Sequence, residues 1–220
     1  MPRSQEQNAA LRAATRDRIL TAAVTLFARR GFAATGVEEI ARDAGVSTGL
    51  IYRHFRTKDD LFGAIVDLAT AGLDAVTERF GGDGPADDLL RDFVTEVLAD
   101  LGESGPALDF YLLLQQAARR DPADPRIAGL LDRQAALTAA TARLIARGQR
   151  DGALRPGPAP ALADLLFATL AGLTQLAAAR GAGFTPPPAE LVLAPVFPRP
   201  RVRGDVQGDV QGEPVIEETP

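Results

Sequence analysis

No stretch of this chain sustains the apolar–polar alternation of a half-buried strand, whereas apolar residues recur at helical spacing through most of its 220 residues. That single pattern restricts the fold to helices packed on helices, an all-α architecture. Ile19, Ala23, Leu26 and Phe27, thickened by Leu20 and Val24, mark a first helix over 12–30. Gly31 ends it, with Arg29 and Arg30 in the last turn, where cations suit the helix dipole. Thr35 and Glu38 have the spacing of a capping box and open a short second helix with Val37, Ile40, Ala41 and Ala44 on one face. Gly45 is then expected in the left-handed conformation, and Val46 as a plug for the turn. Ser47 is the expected N-cap of a third helix, 48–54, and Thr57 that of a fourth, 58–80. The break GGDGP, 81–85, is followed by expected helices near 86–102, 106–120, 124–151, 159–180 and 187–196, several of them separated by Gly-Pro or Asp-Pro. Beyond Phe197 a tandem GDVQ and many prolines read as a disordered tail.

Composition removes several classes of function. The chain has no cysteine, which rules out disulfides, thiolate metal sites and a cysteine nucleophile. Its one histidine, His54, argues against a zinc site. A Ser-His-Asp site would need that same His54, which the pattern puts on a small solvent-facing helix, so no enzyme is expected. GGDG and GAGF lack the strand–glycine–helix setting of a phosphate loop, and no cofactor is expected. Residues 161–179 approach the length of a membrane span, but Asp164, Thr169, Thr174 and Gln175 interrupt them. A buried helix of a cytoplasmic protein without a membrane partner is the expectation, and the polar N-terminus does not read as a secretory signal. Net charge is −5, yet residues 1–60 hold ten Lys and Arg against seven Asp and Glu. A mildly basic front on an acidic body fits one DNA-facing unit joined to something that is not.

Residues 37–55 concentrate the chemistry. A short helix, a turn containing Gly45 and a second short helix form a helix-turn-helix. Val37, Ile40, Val46, Ile51 and Phe55 supply its interior, and small Ala41 lets the helices cross closely. Ser47, Thr48, Gly49, Tyr52 and Arg53 are left on or beside the outward face of the second helix. In such motifs that helix enters the major groove with its N-terminal residues nearest the bases. Tyr52 and Lys58, the chain's only lysine, can donate hydrogen bonds to phosphate. Arg3 and Arg12 could reach a minor groove as an arm does, although a frayed terminus is the simpler expectation.

Residues 15–67, through "ILTAAVTLFARRGFAATGV", "IARDAGVSTGLIYRHF" and "TKDDLF", resemble the DNA-binding domain of tetracycline-repressor (TetR) family regulators. The resemblance implies an all-helical homodimer: three N-terminal helices bind DNA, the fourth links to a ligand-binding body, and the last two long helices dimerise. It implies that Thr35, Tyr52, His54 and Lys58 contact phosphate and that Ser47, Thr48 and Gly49 lie near base edges. Thr48 departs from the pattern, since many members carry Lys or Arg there, which weakens the expectation of a direct guanine contact. The expected organisation is a flexible arm 1–11, a DNA-binding domain 12–57, a body 58–198 and a disordered tail 199–220. Phe93, Phe110, Tyr111, Leu114, Gln115 and Phe167 are candidate lining for a pocket that takes a hydrophobic small-molecule effector, as the family leads one to expect. Leu162, Leu165, Ala168, Thr169, Gly172, Leu173 and Leu176 are the candidate dimer face. The function expected is that of a ligand-released repressor on a palindromic operator. An activator of the same kind, or a helical interaction protein without operator binding, are the alternatives.

Overall fold

The structure is a computed structural model, and it describes residues 5–103, 105–117 and 123–197. Nine α-helices run through these residues: α1 Gln5–Arg30, α2 Val37–Asp43, α3 Thr48–His54, α4 Lys58–Gly81, α5 Ala86–Gly102, α6 Pro106–Ala117, α7 Pro125–Arg150, α8 Ala159–Arg180 and α9 Ala189–Leu193. A 3-10 turn, Gly181–Gly183, follows α8, and no strand occurs among the described residues. The all-α expectation is met. The largest difference lies at the front: from Gln5 onward the expected flexible arm is the first part of α1. The tail 199–220 lies outside the described residues, as does the end of the helix expected to reach residue 120.

Local chemistry sets most boundaries. Gly31 sits at φ +84° and Gly45 at φ +63°, conformations that a residue with a Cβ adopts only under strain. Ser47 Oγ accepts the Leu50 N–H at 3.2 Å, and Thr57 Oγ1 accepts the Asp60 N–H at 3.0 Å, as N-caps do. The second helix departs from expectation by one residue. Its N-cap is Gly36, whose N–H donates to Glu39 Oε2 at 3.1 Å, so Glu39 and not Glu38 closes the turn. Arg30 Nη1 donates to the other oxygen of Glu39 at 2.7 Å. The Gly36 N–H, opposed by slight desolvation and helped by Arg30, holds the Glu39 carboxyl below its ordinary value.

The buried apolar residues form two clusters. One fills the body, from Leu90, Val94, Leu101, Leu144 and Ile145 to Ala163, Ala177 and Leu193. The other lies under the helix-turn-helix and contains Ile19, Phe27, Ile40, Ile51, Leu61 and Ile65. It also contains Leu113 and Ala117 of α6 and Ile127 and Leu130 of α7. The N-terminal core therefore crosses the boundary expected at residue 58 and is completed by helices of the body. Polar links reinforce the join. Arg29 Nε donates to Asp109 Oδ1 at 3.2 Å, and Gln116 Nε2 donates to the Ala28 carbonyl at 2.9 Å, both tying α6 to the end of α1.

Candidate nucleic-acid interface

The turn between α2 and α3 is held by its own backbone. Ala44, Gly45 and Val46 donate to the carbonyls of Ile40, Arg42 and Ala41 at 2.9, 3.2 and 2.9 Å. Ile40 and Ala41 on α2 and Ile51 and Phe55 on or beside α3 are buried. Burying Ile51 alone contributes about 1.5–3 kcal/mol, which anchors α3 by its inner face. The outer face is thereby fixed. Ser47, Gly49, Tyr52 and Arg53 are exposed, Thr48 and His54 half-buried. Tyr52, one of only two tyrosines in the chain, leaves half of its surface in water. Ser47, Thr48, Gly49, Tyr52, Arg53 and His54 thus lie on or beside one short, rigid helix and can be offered together to a groove edge.

Two residues expected at the phosphate backbone are engaged elsewhere. Thr35 is 1% exposed, and its hydroxyl donates to the Gly31 carbonyl at 2.8 Å, with the Leu26 carbonyl at 3.3 Å. Neither a phosphate contact nor a helix cap is available to that buried hydroxyl. It locks the loop after α1 instead. Lys58 Nζ donates to the carbonyls of Phe32 and Thr35 at 2.9 and 3.0 Å and lies 4.4 Å from the centroid of the Phe32 ring. Phe32 in turn packs with Phe27 and Phe62, ring centroids 5.2 and 5.3 Å away. The ammonium thus clamps the α1–α2 loop to the start of α4 and keeps one N–H to spare.

Sequence reading missed Arg16, whose guanidinium stands 5.3 Å over the Phe55 ring. It also left Asn8 unnoticed. Asn8, Leu11, Arg12 and Thr15 of α1 face Leu50 and His54 of α3 across an open groove of about 370 Å³. Only Arg12 carried a signal, as a basic residue near the front of the chain.

The pocket candidates of the body are not gathered at one place. Phe93, Tyr111 and Phe167 belong to the body cluster, with Phe93 packed edge-on between Phe80 at 5.4 Å and Phe167 at 6.2 Å. Phe110 and Leu114 pack on the cluster under the helix-turn-helix. Gln115 Oε1 accepts from Gln175 Nε2 at 2.6 Å on the surface. Tyr111 donates its hydroxyl to Asp100 Oδ2 at 2.9 Å. Burial first, and the Asp100 carboxylate second, push the Tyr111 phenol above its ordinary value.

The candidate dimer residues divide as well. Leu165, Ala168, Gly172 and Leu176 of α8 lie exposed, spaced three and four apart on one face. Leu162 is buried in the protomer's own core, a correction to its expected place on the dimer face, and half-buried Leu173 packs beside that core. Thr169 is half-buried and donates to the Leu165 carbonyl at 2.7 Å. Because α8 is apolar nearly all round, the segment Ala159–Gly183 is the one stretch among the described residues long and apolar enough to cross a membrane.

A buried α2–turn–α3 unit with a polar outer helix face defines a helix-turn-helix protein. Residues 19–65 match the family model described as bacterial regulatory proteins, tetR family. Residues 19–65 thus carry the N-terminal domain of the tetR family of bacterial regulatory proteins. It is 38% identical over 86 residues to the HTH-type transcriptional regulator AcrR of Shigella flexneri, a match covering 38% of this chain and 40% of that one. The match thus spans about two fifths of the curated relative's length; other relatives are named transcriptional repressors. Among solved structures, the MbdR regulator from Azoarcus sp. CIB superposes with a TM-score of 0.66 at 25% identity, covering 82% of this chain and 94% of that one. A SmeT–triclosan complex superposes at 0.58 and 25% identity, covering 94% and 99%.

Proposed function

We propose that this chain is a transcriptional repressor that binds a palindromic operator as a homodimer and is released by a hydrophobic small molecule. The observation that carries the reading is the exposed face of α3, with Ser47, Gly49, Tyr52 and Arg53 free of the core that fixes the helix. Hydroxyl and glycine positions at its N-terminal end admit close approach to base edges, while Tyr52, Arg53 and His54 suit the phosphate backbone. The apolar face of α8 supports a two-fold interface, because Leu165 and Leu176 are otherwise left in water beside small Ala168 and Gly172. Phe93, Tyr111 and Phe167 are the aromatic part of the body that an apolar effector would meet, and the triclosan complex of a fold neighbour supports that class of guest. The effector acts by population shift: it favours a dimer whose α3 helices no longer match major grooves ~34 Å apart. The protein is cytoplasmic in this reading.

Fluorescence anisotropy tests it. The purified chain is titrated into a duplex from upstream of its own gene and into a scrambled duplex, at two salt concentrations. Salt-sensitive binding that favours the upstream duplex by about 1000-fold or more is the expected result. Weak, equal binding to every upstream duplex tried, in a dimeric and folded sample, refutes the reading.

A further inference from the structure

The front of α1 contributes almost nothing to the core. Residues 6–14 are all exposed, and the first buried residue of the helix is Ile19. At 1.5 Å per residue, Gln5 to Arg18 extend the helix about 20 Å ahead of the packed part. That projection does not stand alone in solvent. Asn8, Leu11, Arg12 and Thr15 form the α1 wall of the groove whose other wall is Leu50 and His54 of α3. The position is anchored just behind, where Arg16 lies over Phe55 at the end of α3.

The lining is polar and unsatisfied on one side. Thr15 donates its hydroxyl to the Leu11 carbonyl at 2.8 Å and is satisfied. Among the described residues neither the Asn8 nor the Arg12 side chain has a hydrogen-bond or ion-pair partner. The acids of α1 do not neutralise Arg12. By helical geometry Glu6 is turned about 120° and Asp17 about 140° around the helix from it. Asp17 lines a different groove, with Arg18, Thr21, Thr25 and Asp43. One face thus collects Arg12 and His54, with Arg53 and Arg56 exposed beside them on and after α3.

Resting on the DNA-binding reading above, we propose that the helical front of α1 is a second DNA-docking element: Asn8 and Arg12, with His54 across the groove, hold a backbone phosphate beside the major groove that α3 reads. A rigid helix carries a guanidinium to one phosphate rather than threading a flexible arm along a minor groove. The contact is therefore a register contact, made alike to any sequence.

The same anisotropy titration tests it with Arg12→Ala, Arg12→Lys and Asn8→Ala, using Arg150→Ala, an exposed arginine at the far end of α7, as the control. Arg12→Ala is expected to weaken binding to upstream and scrambled duplexes by a similar factor, about tenfold. It also lowers the slope of log K against log salt by about 1, while Arg12→Lys recovers much of that slope. Unchanged far-UV circular dichroism shows that the exposed substitution leaves the fold in place. If Arg12→Ala and Arg150→Ala both match the parent in affinity and salt slope while Tyr52→Phe weakens binding, the second element is overturned and the α3 reading stands. If the parent itself binds neither duplex, both fall together.

Discussion

Replacing Lys58 with Met separates a clamp from a phosphate contact. Met keeps the length of the stem and removes the ammonium. Two charge-assisted hydrogen bonds, to the carbonyls of Phe32 and Thr35, disappear, and so does the cation over the Phe32 ring. Hydrogen bonds to charged groups contribute about 1.5–3 kcal/mol each, and a partly exposed cation–π contact about 0.5–1. Lys58 is half-buried and water can replace part of this, which brings the expected loss to about 3 kcal/mol. For a chain of this size each kcal/mol shifts Tm by roughly 2–4 °C, so Tm should fall by roughly 6–12 °C. Thermal unfolding and a urea titration read it, with a lower midpoint and an unchanged m-value. A Tm within about 1 °C of the parent together with weaker DNA binding would refute the clamp and restore Lys58 to the phosphate backbone.

Leu165→Glu introduces a charge on the exposed apolar face of α8 and should leave a helical monomer where the parent is expected to be a dimer by light scattering; a persistent dimer places the two-fold elsewhere. In the pair linking α1 to α6, Asp109 is buried and Arg29 largely exposed. Arg29→Ala strands the carboxylate and should cost more than Asp109→Ala, with a coupling of about 1–2 kcal/mol in a double-mutant cycle; equal costs with no coupling reject the link. The Tyr111 phenol ionises above the ordinary tyrosine value of about 10. Above that pH the unfolded chain loses its tyrosyl proton before the native one does, so stability falls as pH rises. Phenolate absorbance in a Tyr52→Phe background should show the ionisation moving down when Asp100 becomes Asn; no movement would remove Asp100 as a cause.

What the sequence reveals here is what depends on neighbours along the chain. Ser47, Thr57 and Gly45 take the roles their surroundings announce, because a cap or a left-handed turn is settled within four residues. Thr35 fails by one position, since its hydroxyl is drawn to the Gly31 carbonyl and Glu39 serves Gly36 instead. The clamp made by Lys58 was not legible for a different reason: its acceptors lie 26 and 23 residues back, where no spacing rule reaches. Asp109 finds Arg29 80 residues away. On α8, leucine and alanine surround the helix, so periodicity alone does not tell the inward Leu162 from the outward Leu165. The exposed face of α3 was legible because the apolar residues opposite it, Ile51 and Phe55, name its inner side.

The borrowed residues under the helix-turn-helix limit how freely such a reading head can be exchanged. A graft of residues 1–57 onto an unrelated body would leave the cluster that holds Ile19, Phe27 and Ile51 without Leu113, Ala117, Ile127 and Leu130, which now complete it. The transplantable module is discontinuous: α1 to α3, the first half of α4, the end of α6 and the beginning of α7. A chimera that respects those seams inherits both specificity and stability, while one cut at the sequence motif inherits a head without its floor.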